Sequence, residues 1–179
     1  MPEIEVRPGL STDLNELMGI DHSCASSYVW QMERLINEGQ ISILFREIRL
    51  PRSIIVNYPH QIEIRLEDWK KANSVLVACQ GNKPVGYVHI EVDNEAQSGW
   101  IKDLAVAEKY RRQGIGSVLV LAAQDWSAIR NLKRVILEMS SKNLPAIRLA
   151  QKLGFDFSGY NDSFYANKDI ALFFSRLLK

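Results

Sequence analysis

The stretch Arg111-Arg112-Gln113-Gly114-Ile115-Gly116-Ser117 has the residue types and spacing of a phosphate cradle. Its two glycines let the backbone turn tightly, so the N–H groups of residues 112 to 117 converge on one point. The positive end of a following helix faces the same point. A pyrophosphate is the natural guest, and the bland alternative is a helix start that happens to contain glycines. Lys109, Arg111 and Arg112 either supply positive charge to such a guest or decorate a solvated turn. Two other residues have proton chemistry. Val135, Leu137 and Met139 share one face of a strand, which puts Glu138 on the other with Ile136 and Ser140. A carboxylate there is either a general base or an internally paired structural acid. His89, on a strand face with Tyr87 and Glu91, is a second candidate base or a satisfied sheet histidine.

The elements that must position these groups follow from periodicity. A strand 100–106 ends in Leu104-Ala105-Val106 just before the loop, and a long helix 116–130 follows it. Val118, Leu121, Ala122, Trp126 and Ile129 are expected on the buried side of that helix. A strand 134–140 comes next, then a short helix with Asn143 as N-cap and Gly154 as its stop. Upstream, strands 75–79 and 85–92 flank the turn 80–83 as an antiparallel pair. Ile4 and Val6 begin a first strand, and Asp13 with Glu16 has capping-box spacing for a helix carrying Leu14, Leu17 and Met18. Val29, Met32, Leu35 and Ile36 predict a second helix ending near Gly39. In 40–66, Ile41, Leu44, Phe45 and Ile48 fit either a helix face or a hairpin with residues 53–57 around Leu50-Pro51-Arg52, the hairpin being preferred, and Ile62, Ile64 and Leu66 alternate as in a strand. Strands at 155–157 and 170–177 close an α/β chain with a mixed sheet and helices on its faces.

Bulk properties narrow the class. The 179 residues fit one domain, 1–179, with 46% hydrophobic and 24% charged residues. A formal net charge of +1 gives no whole-chain attraction to nucleic acid or an anionic membrane. Cys24 and Cys79 form no C-x-x-C pair, and His22, His60 and His89 show no ligand spacing, so no metal site is expected. The acidic start Met1-Pro2-Glu3-Ile4-Glu5 is unlike a signal peptide, and the longest apolar run, 118–123, is too short to span a bilayer. A cytoplasmic protein is expected.

Beyond the loop, Asn143, Ala146, Leu149, Gly154 and Phe155 fall in the order N-x-x-A-x-x-L-x-x-x-x-G-F. With Arg111, Gly114 and Gly116 after Leu104-Ala105-Val106, the chain resembles the GNAT superfamily of acyl-coenzyme A-dependent N-acyltransferases over about residues 75–160. The resemblance implies a central, mostly antiparallel twisted sheet flanked by helices, with acetyl-CoA as cosubstrate and no metal. It implies direct attack in a ternary complex by an amine, whether a protein N-terminus, a lysine or a small molecule. By the same resemblance, Leu104, Ala105 and Val106 pair with the pantetheine arm, and the Val106 amide donates to the thioester oxyanion. Arg111, Arg112, Gln113, Gly114, Ile115, Gly116 and Ser117 hold the pyrophosphate, while Asn143 and Ala146 border the pantetheine.

Glu138 matches the glutamate of a subgroup, the bacterial ribosomal-protein N-terminal alanine acetyltransferases, and is the expected base. Ala150 stands where that subgroup has its tyrosine acid, and Trp100 where other members carry a glutamate. Tyr160 or Tyr165 can replace the acid or wall the acceptor pocket. These departures leave a rival reading, a non-catalytic acyl-CoA-binding module. The segment 40–66, with Arg46, Glu47, Arg49, Arg52, Tyr58 and His60, is extra to the minimal pattern. It lines an acceptor site or joins subunits, so monomer and homodimer both stay open.

Overall fold

A computed structural model describes residues 3–61 and 74–179. The expected strand at Ile62, Ile64 and Leu66 lies outside the described residues. Among the described residues nine strands carry the frame: β1 (Ile4–Pro8), β2 (Cys24–Asn37), β3 (Gln40–Val56), β4 (Val75–Gln80), β5 (Lys83–Asp93), β6 (Ser98–Val106), β7 (Arg134–Ser140), β8 (Asp156–Asn161) and β9 (Ala171–Leu177). Helices α1 (Leu14–Met18), α2 (Ile115–Ile129) and α3 (Leu144–Lys152) cover the sheet. Among the described residues one sheet runs β1-β4-β5-β6-β7-β9-β8, and β6–β7 is its parallel pair. The main core lies between the sheet and α2 and α3, built on Val88, Ile101, Leu119, Leu137 and Ile147. A smaller cluster under α1 joins Leu17 and Ile20 to Val77, Tyr87 and Ala105.

The region before β4 departs from expectation. Residues predicted as a second helix form β2, which pairs antiparallel with β3 across the turn at Glu38 and Gly39, the latter at φ +72°. The apolar spacing of Val29, Met32 and Ile36 fits either period, and tertiary packing decides. Trp30 sits within 5.8–6.4 Å of Phe45, Phe157 and Phe174, and its backbone N–H donates to the Ser141 carbonyl at 2.9 Å. The hairpin expected within residues 41–57 is likewise not formed, because β3 runs through Leu50-Pro51-Arg52. Its register jumps from Ser26–Ile54 to Tyr28–Arg49, and this irregularity absorbs Pro51, which has no N–H to give a ladder.

Two smaller corrections concern helices. Asp13 does not cap α1; its carboxylate accepts from the two terminal guanidinium nitrogens of Arg7 at 2.7 and 2.8 Å and from the Leu10 N–H at 2.8 Å. The buried face of α2 holds Ile115, Leu119, Val120, Ala123, Gln124 and Ser127, whereas Val118, Leu121 and Ile129 are exposed. Small residues explain the rotation. A Cβ on Gly99 of β6 would lie 2.7 Å from Ser127 Oγ, so helix and sheet approach closely along the Ala123–Ser127 stripe.

Candidate active site

Strands β6 and β7 pair only from Ser98–Arg134 to Ile101–Leu137. Beyond that point β6 continues against β5 alone and β7 against β9 alone, so the two open into a V. Helix α2 starts just after β6 and α3 just after β7, which brings both positive helix ends to the open side. Ala107 N–H donates to the Val85 carbonyl at 2.9 Å, so the pairs Gly86–Val106 and Val88–Leu104 are the ones that exchange no hydrogen bonds. The backbone amides of Leu104 and Val106 therefore point away from β5 into the V, a template for an extended ligand. Gly86 permits this arm of β6 to lie close, since a Cβ there would meet the Ala105 carbonyl at 2.7 Å.

The V is part of a cleft of about 740 Å³. Leu104, Ala105, Val106, Arg111, Arg112, Gly114, Ile115, Gly116, Ser117, Asn143 and Ala146 line it; of the predicted cofactor residues, Gln113 does not. Gly114 has φ +87° and Arg112 φ +64°, the reversed curvature that aims successive N–H groups at one spot. The first-turn N–H groups of Ile115, Gly116 and Ser117 have no acceptor within the helix. Asn143 caps α3, its Oδ1 accepting from Ala146 N–H at 3.1 Å and from Cys24 Sγ at 3.5 Å. Burial pushes the Cys24 thiol up, away from thiolate reactivity.

Arg111 departs from the simple picture of a phosphate ligand. Its Nε donates to the Val106 carbonyl at 2.9 Å, Nη1 to the Ser23 carbonyl at 2.9 Å and Nη2 to the Asp21 carbonyl. The guanidinium thus ties the 21–23 segment to the end of β6 and fixes one wall of the cleft. Lys109 lies 4.9 Å above the Tyr110 ring, while Arg112 is exposed on the loop.

At the closed end of the V stands a polar cluster. Glu138, with its side chain 1% exposed, accepts from the Lys102 ammonium on Oε2. His60 Nε2 is 3.6 Å and the Tyr165 hydroxyl 3.4 Å from its Oε1. Lys102 also sits 4.9 Å over the Trp100 ring. On β5, His89 Nδ1 is 2.8 Å from Asp103 Oδ2. Burial first, then the nearby Glu138 charge, pushes the Asp103 carboxyl up to about 7. A register shift between His89 and Ile90 sets Ile90 opposite Ile101 and His89 opposite Asp103, so Lys102 is the extra residue of a bulge. The bulge turns Lys102 and Asp103 to the same side.

His22 lines the cleft, with Nδ1–H donating to the Ile20 carbonyl at 2.6 Å and Nε2 accepting from the Tyr87 hydroxyl at 2.6 Å. Burial holds its pKa below the usual histidine value.

Of the proton-handling candidates, Glu138 and Tyr165 come together. Tyr160 packs edge-on against Phe45 at 5.3 Å, and His89 is engaged with Asp103. The sequence reading passed over Lys102 and Asp103. Their signal was two adjacent polar residues between Ile101 and Leu104, a break in strand alternation. Among the described residues no group of three His, Cys, Asp or Glu side chains is placed to hold a metal ion, and no helix is long and apolar enough to cross a membrane.

Residues 42–155 match the family model described as the acetyltransferase (GNAT) family. Streptothricin acetyltransferase from Streptomyces lavendulae is 27% identical over 165 residues, covering 89% of this chain and 83% of that protein. The fold is that of a nourseothricin acetyltransferase, with TM-score 0.81, 19% identity, and coverage of 98% and 99% of the two chains. The ribosomal-protein-S18-alanine N-acetyltransferase of Escherichia coli superposes with TM-score 0.68 at 16% identity, covering 99% of this chain and 95% of that one.

Proposed function

Since the chain belongs to the GNAT family of acetyltransferases, we propose that it moves the acetyl group of acetyl-CoA onto an aliphatic amine of a cationic small molecule of the streptothricin kind. The observation that carries this reading is the position of Glu138 at the closed end of the V, beyond the backbone amides of Leu104 and Val106. The loop 111–117 and the start of α2 receive the pyrophosphate through backbone N–H groups, with Arg112 adding charge. The pantetheine arm lies along Leu104–Val106, and the Val106 amide donates to the thioester oxygen as negative charge develops there.

A neutral amine attacks the thioester carbon, forming the C–N bond as the C–S bond breaks. The amine proton passes to Glu138, and coenzyme A leaves as a thiolate. Tyr165, at 3.4 Å from Glu138, is the phenol suited to return a proton to that sulfur. The preference for a cationic acceptor rests on the similarity to streptothricin acetyltransferase, 27% identical over 165 residues. Lys102, bonded to Glu138 and over the face of Trp100, balances the buried carboxylate in the free protein.

The test is release of free thiol when the purified protein and acetyl-CoA are mixed separately with streptothricin, spermidine and a peptide with N-terminal alanine. Streptothricin should give the highest kcat/KM, with acetylated streptothricin detected by mass. A preference for the peptide overturns the acceptor class, and no thiol release with any amine overturns the whole reading.

A further inference from the structure

A row of rings runs from the cofactor cleft to Glu138. His22 lines the cleft, and its ring centroid is 4.7 Å from that of Tyr58. Tyr58 is 5.4 Å from His60, whose Nε2 reaches to 3.6 Å from Glu138 Oε1. Tyr58 therefore stands between the place where a thioester arm enters and the carboxylate proposed to take the amine proton. Its hydroxyl oxygen is buried and has no hydrogen-bond partner among the described residues. Neighbouring His22 cannot serve it, because both ring nitrogens are engaged by Ile20 and Tyr87. A buried hydroxyl without a partner is a standing penalty in the free protein, relieved when a ligand supplies one.

We infer that Tyr58 is a specificity-determining residue, its hydroxyl hydrogen-bonding a polar group of the acceptor beside the amine that is acetylated. The class selected is an amine carrying an adjacent amide, hydroxyl or second amine, as against a plain alkylamine. The inference rests on the acceptor class proposed above and goes further by assigning one side chain to it. A phenol both donates and accepts, so it serves any of these groups. A site built to bond a polar group discriminates strongly against a ligand that lacks it.

Tyr58→Phe removes only the oxygen and keeps the ring contacts. With coenzyme A bound, streptothricin should bind the variant about tenfold more weakly by calorimetry, and its KM should rise equally. The KM for acetyl-CoA should stay within about twofold, and turnover of butylamine, which has no polar neighbour, should be unaffected. The melting temperature of the free variant should hold or rise. Unchanged streptothricin binding, an equal loss for butylamine, or a raised KM for acetyl-CoA each overturns the inference. Failure of wild-type protein to bind streptothricin overturns it together with the acceptor class. Binding without turnover overturns only the catalytic reading, and the ratio of the two dissociation constants still decides the role of Tyr58.

Discussion

The Lys102 ammonium donates to Glu138 Oε2 immediately past the last paired residues of β6 and β7. A carboxylate only 1% exposed needs a counter-charge, and this lysine, itself 17% exposed, provides it in the free protein. Lys102→Met should lower the melting temperature by several degrees, as it leaves a buried charge with less compensation. Adding Glu138→Gln should recover most of that loss, because the uncompensated charge is then gone. A double-mutant cycle by thermal denaturation should give a coupling of roughly 1–3 kcal/mol, and strict additivity would show that the pair is not energetically linked.

Glu138→Gln alone separates a base from a structural acid. Size and hydrogen-bonding reach are retained while basicity is lost, so cofactor affinity should hold. At neutral pH the rate should fall about 100-fold or more, the usual scale of general-base assistance. The deficit should shrink as pH rises, since an amine that is already neutral needs no base. Rates measured from pH 6 to pH 10 with one acceptor check this. Near-normal turnover at pH 7 in a folded variant removes Glu138 from the mechanism.

Two adjacent arginines should behave differently. Arg111 holds three backbone carbonyls, from Asp21, Ser23 and Val106, so Arg111→Lys should lower both stability and acetyl-CoA affinity. An ammonium lacks the planar fork needed to reach all three. Arg112 is exposed on the loop, so Arg112→Ala should leave the melting temperature within about a degree. It should weaken acetyl-CoA binding several-fold, and the deficit should narrow with added salt. Equal melting temperatures for wild-type protein and Arg111→Lys would deny Arg111 its structural part.

The contrast between these arginines marks how far the sequence could be read. Gly114 was legible because the loop needs a left-handed residue there, and Asn143 because a helix start needs a cap; both requirements are local. The β6–α2–β7–α3 order was legible for the same reason. Arg111 announced charge, but which carbonyls would take that charge depends on residues 21 and 23, far away in the chain. Strand β2 was misread because Val29, Met32 and Ile36 satisfy a helical period as well as they satisfy pairing with β3. Only the non-local packing of Trp30 on Phe45 and Phe174 separates the two. The face of α2 was misread because apolar side chains surround the helix, and the small Ala123 and Ser127, not the largest residues, set the close contact with Gly99.

The last prediction concerns Asp103, 2% exposed and held against His89. Its carboxyl is pushed up from 3.8 to about 7, by burial and then by the charge on Glu138. A raised acid makes the folded state bind more protons than the unfolded state between those two values. Stability from this group is therefore fully present below about pH 4, and it is lost as pH rises to about 7. Asp103→Asn keeps a hydrogen-bonding side chain beside His89 but cannot ionise. The melting temperature of wild-type protein, measured relative to Asp103→Asn, should fall steadily from pH 4 to pH 7 and level off above. In a Glu138→Gln background the same fall should finish at lower pH, because one of the two causes of the raised value has been removed. A constant difference between wild type and Asp103→Asn across that range would mean that Asp103 keeps the same charge throughout, and that its proton plays no part in the stability of the site.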